Sequence, residues 1–444
     1  MGVWSVTALR KVSVAILSWN GKHHLEICLE ALAAQHHPGV DWEVLVLDNG
    51  STDGTVGWMR EHHGGDRRVR LIESPVNLGF CGGNNRLARE AEGDALALLN
   101  NDTRPEPGWL GALVEALASA PPDVAAVSGK IVDWKGERLD FGRGLMTFDG
   151  HAFQLDFRRP LKTARVPAAG EELPFACGGN LLVRRASFLE AGGFDESYFA
   201  YLEDVDLGWR LWSGGERVVF APGAVVHHRS SATSDLLGLY NRGFLFERNA
   251  FLTAYKNYQE GLWEKVLPAV MLTLLSRTQA LLLANPGMDT LRIDPYAGHI
   301  ANTGPKRVPS TIELPPATTW EGFKIRWRGY GPRDFLRRGL RKLGIASSPP
   351  ATADGPHLTD ERTIAQLRAL HWLTGHLDGA AVTRASIQRR RKRPDREIFE
   401  RFPAYLVPTY PGDRELFASP GFQAWLPEEL PLRRAELGEI MEMG

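Results

Sequence analysis

Cysteine is scarce: Cys28, Cys81 and Cys177 are the only three in 444 residues. Three scattered thiols exclude a disulfide framework and a thiolate metal site, and a reducing, cytoplasmic compartment is the simple expectation. Net charge is scarce too, −1 from 52 basic and 53 acidic residues, which argues against nucleic acid as a partner. Long apolar runs are missing. The most apolar stretch, Val266–Ala284, is broken by Pro268, Arg277 and Gln279, so it reads as a buried or interfacial helix rather than a membrane span. The first residues show no apolar run closed by a small-residue cleavage site, and Val12–Trp19 reads as a first strand. Phosphate loops of the familiar kinds are absent as well. The first strand is followed by "NGKHH", with one glycine, which excludes the dinucleotide fingerprint, and no Walker-type loop occurs.

What is present has an order. The length suits two or three domains, and 43% hydrophobic with 24% charged residues is ordinary for a globular chain. "KVSVAILSW" precedes "HHLEICLEALAAQ", in which Leu25, Cys28, Leu29 and Leu32 recur at helical spacing. "WEVLVLD", a helix near Thr55–His63, "VRLIES", a helix near Asn84–Ala91 and "DALALLN" continue the alternation. Four continuous apolar strands with intervening helices predict a mostly parallel sheet covered on both faces. Ligands of such sheets bind beyond the carboxyl ends of the strands. The polar clusters fall at those ends: Ser18–Asn20, Asp48-Asn49, Ser74–Asn85 and Asn100–Asp102. From about Leu236 long helical patterns take over, followed by Pro/Gly-rich linkers (Asn285–Pro316, Ser347–Pro356), a helix near Asp360–Leu377 and a basic run near Gln388–Arg393. The expected divisions are 1–235, 236–400 and a tail, 401–444.

Four constellations carry potential chemistry. "LDNGSTDG" puts Asp48 at a strand end, where a carboxylate accepts from a base N–H or a ribose hydroxyl; an Asx turn with a helix cap at Asp53 explains it equally. "NLGFCGGNN", Asn77–Asn85, permits close backbone approach to a ligand, and a plain loop before a helix explains it as well. In "YLEDVDLGWRLWSGG", Glu203, Asp204 and Asp206 open an amphipathic helix; acids favour a helix start, yet three in four residues exceed what a cap needs. "VVHHRSSAT" places His227 and His228 after a strand, where one could join Asp102 on a hard cation.

In sequence, "VAILSWNG", "VLVLDNGSTDG", "NLGFCGGNN", "LLNNDT", "CGGNLLVRR", "GGFDESYFAYLEDVDLGWRL" and "VVHHRSSAT" resemble glycosyltransferase family 2, in particular its bacterial rhamnosyltransferase-like members, over about Lys11–Ser234. The resemblance implies a GT-A fold with a helical C-terminal extension and an inverting transfer from a nucleotide-diphosphate sugar, dTDP-rhamnose or a UDP-sugar. The acceptor would be a hydroxyl of a saccharide or lipid-linked molecule in cell-surface polysaccharide synthesis. It assigns Asp48, with Ser18, Asn20 and Asp53, to the nucleobase region, and Asn77, Gly82, Gly83 and Asn101 to the nucleotide pocket. It makes Asp102 and His228 ligands of a divalent cation, Mg²⁺ or Mn²⁺, with His227 as the fallback. Asp204 becomes the catalytic base, and Gly179, Asn180 and Glu203 line the acceptor side. Arg184 and Arg185 would face phosphate or simply solvent.

One departure stands out. The family's DXD motif is here Asn100-Asn101-Asp102, a single acid, which weakens the cation site. Processive synthases of the family carry QxxRW and several membrane spans; the corresponding helix here reads "LGWRLW", so a single addition is expected. Phe323–Lys342 mixes eight Lys/Arg with Trp327, Tyr330 and Phe335, which suits either an anionic membrane surface, such as the inner face of the plasma membrane, or a solvated basic segment. Two rival functions are a non-catalytic nucleotide-binding scaffold and a sugar nucleotidyltransferase. The first is opposed by the presence of both Asp102 and Asp204, the second by the lack of a basic Gly-rich loop after the first strand.

Overall fold

A computed structural model describes residues 9–229, 238–284, 361–409 and 412–441. The segment Phe323–Lys342 and both Pro/Gly-rich linkers lie outside the described residues.

Strands β1 (Lys11–Ser18), β2 (Asp41–Asp48), β3 (Val69–Glu73) and β4 (Ala95–Asn100) form the parallel half of the main sheet in the order β3-β2-β1-β4. Val12, Val14, Ala15, Ile16 and Leu96–Leu98 are buried, as expected for strands covered on both faces. Helices α1 (Lys22–Ala33), α2 (Thr55–His63) and α3 (Gly79–Glu90) supply the cover, and α1 buries the Leu25, Cys28, Leu29 and Leu32 stripe read from the sequence. The register aligns Ser18 with Asp48 and Leu17 with Asn100, so three strand ends share one edge. Strand order reverses beside β1, and this is where an open α/β sheet forms its crevice.

The sheet continues through β10 (Asn180–Arg184), β6 (Val124–Asp133), β11 (Arg217–His228) and the short β5 (Thr103–Pro105). β10 runs against both β4 and β6, pairing Asn180 with Leu99 and Arg184 with Ala95. β7 (Leu139–Phe141) pairs with β6, and β8 (Arg143–Met146) pairs with β9 (Ala152–Leu155) as a separate ribbon. The helices on this half are α4 (Trp109–Ser119), α5 (Arg185–Glu190) and α6 (Glu203–Ser213).

The C-terminal helices are α7 (Gly238–Asn257), α8 (Glu260–Ala284), α9 (Glu361–Arg390) and α10 (Asp395–Arg401). They share the apolar core of the sheet: Trp209 of α6 packs on Tyr258 at 5.4 Å and on Phe399 at 4.9 Å. No helix among the described residues is long and apolar enough to cross a membrane. The basic run is structural. Arg393 donates to the carbonyls of Trp212, Gly215 and Glu216, and Arg391 donates to that of Asn257, so both cap helix ends where carbonyls lack partners. The tail adds β12 (Ala404–Leu406) paired with β13 (Leu432–Arg434), and helices α11 (Asp413–Ala418), α12 (Pro420–Gln423) and α13 (Leu437–Ile440). Asp413 of the tail holds Arg277 at 2.9 Å, and Arg277 also lies 3.6 Å from Asp149.

Asn180, expected to line an acceptor pocket, is a strut of the core. It is fully buried; its Oδ1 accepts from Trp109 Nε1 at 2.7 Å, and its Nδ2 donates to Lys130 O and Ala224 O, both at 3.1 Å. Removing it orphans one buried donor and two buried carbonyls, each worth on the order of 1–3 kcal/mol. Asn180→Ala is therefore expected to lower stability by about 3 kcal/mol or more, read as a fall in the midpoint of urea unfolding.

Candidate active site

The donor side is built from strand ends. Asn101 Nδ2 donates to Ser18 Oγ at 3.1 Å, joining the ends of β1 and β4. Gly21 is required beside it, since a Cβ there would fall 2.4 Å from Asn101 Nδ2. Asn20 and Asp53 tie the loops after β1 and β2 together: the Thr52 amide donates to Asn20 Oδ1 at 2.7 Å and the Lys22 amide to Asp53 Oδ2 at 3.1 Å. Asp48 accepts from the Ser51 amide with Oδ2 at 3.0 Å, while its Oδ1 is buried without a protein partner. A buried carboxylate oxygen left open at a strand end suits a donor group on a ligand.

Asn77 is wired inward. Its Oδ1 accepts from the Gly79 amide and from Asn49 Nδ2, both at 2.8 Å, and Asn49 Oδ1 accepts from the Leu78 amide at 2.8 Å. The expected Gly-rich loop is instead the start of α3. Gly82 and Gly83 lie within the helix and are buried; a Cβ on Gly83 would strike Leu17 at 2.4 Å. These glycines let the helix sit close on β1 rather than line a loop around a ligand.

Asp102 and His228 meet at the end of the sheet, and Asp204 stands at the Cys177–Gly179 turn beside the end of β4. β11 runs antiparallel to β5 and pairs His228 with Thr103, which carries His228 to Asp102. His228 Nε2 lies 3.3 Å from Asp102 Oδ1, and its Nδ1 lies 2.7 Å from Asp140 Oδ2. Strand alternation sends His227 the other way, to Glu106 at 3.2 Å. Burial works to lower the pKa of His228, but hydrogen bonds to Asp102 and Asp140 prevail and push it up to about 10. Burial likewise works to raise Asp102, and His228 outweighs it, holding the carboxyl below its ordinary range.

The pair fits a divalent cation. Two cis ligands with bonds of roughly 2.1 Å stand about 3.0 Å apart, close to the Oδ1–Nε2 separation of 3.3 Å. Asp140 on the far nitrogen is the outer carboxylate that fixes a metal-binding imidazole. Among the described residues no cluster of three or more His, Cys, Asp or Glu could hold a metal ion, so the pair would supply only two ligands.

Asp204 stands at the start of α6. Its Oδ2 accepts from the Gly178 amide at 3.1 Å and its Oδ1 from the Val205 amide at 2.8 Å. Burial raises its pKa nonetheless. The neighbouring Glu203 is pushed well above its ordinary value by burial and then by the charge of Asp204. The turn Cys177–Gly179 links the two halves. The Asn100 amide donates to Gly179 O at 3.3 Å, and a Cβ at Gly179 would meet Asn100 Nδ2 at 2.9 Å. The Cys177 thiol is raised by burial and then by the charges of Asp204, Asp140 and Glu203, which places those acids around one turn. The backbone before Asp204 is strained: Phe199, Tyr201 and Leu202 have φ of 64°, 70° and 63°. Such residues cost on the order of 1–3 kcal/mol each and persist only where the surroundings impose them.

Arg184 and Arg185 do not join this site. β10 runs backwards, so they emerge at the opposite edge, where Arg184 donates to Val124 O at 3.0 Å and Arg185 to Ala88 O at 2.8 Å. Asp140 and Asn49 were not anticipated. "DN" at a strand end signals Asn49 weakly; Asp140 gives no signal, because only the pairing of β7 with β6 brings it to His228. Replacing His228 with Ala is expected to abolish Mn²⁺ binding in the presence of a nucleoside diphosphate, measured by paramagnetic resonance, whereas His227→Ala leaves it within about twofold, since only His228 faces Asp102.

The family described as "Glycosyl transferase family 2" matches residues 13–192. The N-acetylglucosaminyl-diphospho-decaprenol L-rhamnosyltransferase of Mycobacterium tuberculosis is 35% identical over 241 residues, covering 50% of this chain and 76% of that protein. An O-antigen biosynthesis protein of Myxococcus xanthus is 31% identical over 242 residues, covering 52% of this chain and 18% of that protein. Among solved structures, a mannosyltransferase from Pyrobaculum calidifontis, in complex with GDP-Man and Mn²⁺, superposes with a TM-score of 0.43 at 17% identity over 86% of this chain and 88% of that chain. The chain belongs to glycosyltransferase family 2, as a glycosyltransferase similar to bacterial rhamnosyltransferases.

Proposed function

We propose that the enzyme transfers a sugar, with inversion, from a nucleotide-diphosphate donor to a hydroxyl of a lipid-linked saccharide. One observation carries this reading: the Cys177–Gly179 turn accepts from Asn100, two residues before the Asp102–His228 pair, and donates to the Asp204 carboxylate, at the carboxyl edge of the sheet. The open Oδ1 of Asp48 would receive the nucleobase. Asp102 and His228 would hold a divalent cation at the diphosphate, and when bound that ion supplies neutralisation of the charge that grows on the leaving group.

The rest belongs to the chain. Asp204 accepts the acceptor hydroxyl proton as the oxygen attacks the sugar, a contribution of roughly 10²–10⁴-fold for a placed general base. Its burial-raised pKa improves its basicity. A base on one side of the sugar and a diphosphate shelf on the other support inversion. The name of the mycobacterial relative, with its diphospho-decaprenol acceptor and rhamnosyl transfer, supports dTDP-rhamnose as donor and a polyprenyl-diphosphate saccharide as acceptor. Such an acceptor would bring the enzyme to the inner face of the plasma membrane.

Asp204→Asn is expected to lower transfer at least 10²-fold while nucleoside-diphosphate affinity, measured by calorimetry, stays within about threefold. Parallel loss of both would make Asp204 a structural residue. Transfer is also expected to stop in EDTA and to return with Mn²⁺ or Mg²⁺; full activity in chelator would remove the cation from the mechanism.

A further inference from the structure

Helix α7 lies beyond the stretch matched by the family, residues 13–192. One of its faces nevertheless grips the segment that carries the proposed base. Asn249 is fully buried, and its Nδ2 donates to three carbonyls of that segment: Tyr198 at 3.1 Å, Ala200 at 2.8 Å and Tyr201 at 2.8 Å. Arg248 donates to Ser197 O at 2.6 Å and Tyr198 O at 3.1 Å, and its Nε donates to Asn249 Oδ1 at 3.1 Å, which orients the amide. One and two turns further along, Thr253 Oγ1 meets Tyr198 Oη at 2.8 Å, Lys256 pairs with Asp195 at 2.5 Å, and Asn257 Nδ2 donates to Asp206 Oδ1 at 2.8 Å.

The gripped carbonyls belong to the backbone that turns through the left-handed region at Phe199, Tyr201 and Leu202, immediately before Glu203 and Asp204. No glycine relieves those positions, so the conformation depends on outside restraint. A single amide serving three carbonyls in a buried site supplies it. The same segment touches the donor side: Phe199 O accepts from the Phe80 amide at 2.7 Å and the Cys81 amide at 3.1 Å, in the first turn of α3. Gly79 must lack a side chain there, since a Cβ would meet the Phe199 ring at 2.6 Å.

We infer that Asn249 is a positioning residue for catalysis: it fixes the 198–202 backbone and thereby aims Asp204 across the cleft at the acceptor hydroxyl. The inference rests on the reading of Asp204 as base. Its test compares Asn249→Ala, Asn249→Ser and Asp204→Asn in the full chain, measuring kcat, nucleoside-diphosphate affinity, thermal unfolding and the pH dependence of kcat. The expected result for Asn249→Ala is a kcat at least tenfold lower with nucleotide affinity within about threefold. Asn249→Ser, which keeps one donor, should fall between. The acidic limb of the pH profile should move to lower pH in Asn249→Ala, because a loosened loop admits water to Asp204 and relieves the burial that raises its pKa. A wild-type kcat in folded Asn249→Ala beside an inactive Asp204→Asn overturns the positioning role alone. So does a lowered kcat with an unmoved acidic limb, which would make Asn249 a support of the fold only. An active Asp204→Asn overturns the base, and this inference with it.

Discussion

Four carboxyl groups, Asp102, Asp140, Glu203 and Asp204, crowd one edge of the sheet with little water to screen them. Keeping such carboxyl groups at a buried edge requires a compensating partner or a raised pKa for each. Each is compensated differently. Asp102 and Asp140 share the His228 imidazole. Asp204 takes two backbone amides, one of them from the first turn of α6. Burial and the neighbouring Asp204 push Glu203 well above the usual carboxylate range.

Much of this was readable from residue order. The strands β1, β2 and β4 declare themselves by unbroken apolar runs, and parallel pairing then puts Ser18, Asp48 and Asn100–Asp102 on one edge. Asp102 and His228 were legible as separate strand ends, and pairing of β5 with β11 supplied what no local pattern contains. The misreadings share a cause. "CGGNLLVRR" looks like a turn followed by free arginines, but its strand runs opposite to its neighbours, so the arginines leave at the far edge and Asn180 sinks into the core. "NLGFCGGNN" looks like a loop because glycine is rare inside helices; here close packing on Leu17 requires it. The run near Gln388–Arg393 carried no role in the sequence, and its Arg391 and Arg393 close the ends of α7 and α6.

The C-terminal helices belong to the same core as the sheet. Trp209 and Trp212 of α6 meet Tyr258, Phe399 and Phe402, and Arg248 stacks on Trp372 of α9 at 4.3 Å. The tail closes the other side through Asp413 and Arg277 and through Phe417 and Phe422, which pack edge-on to Phe148. Sequence patterns showed the segments after Leu236 and near Asp360–Leu377 as helices without a sign of what they hold, and gave no reading of the tail.

A chain is made from its amino end, and domains tend to fold as they emerge. The sheet with its strand-end carboxylates thus leaves the ribosome ahead of Asn249 and the helices that follow. The left-handed backbone at Phe199, Tyr201 and Leu202 is held from α3 through Phe199 O and from α7 through Asn249. The segment that leads into Asp204 thereby gains its full set of contacts only once the carboxyl-terminal helices have been synthesised.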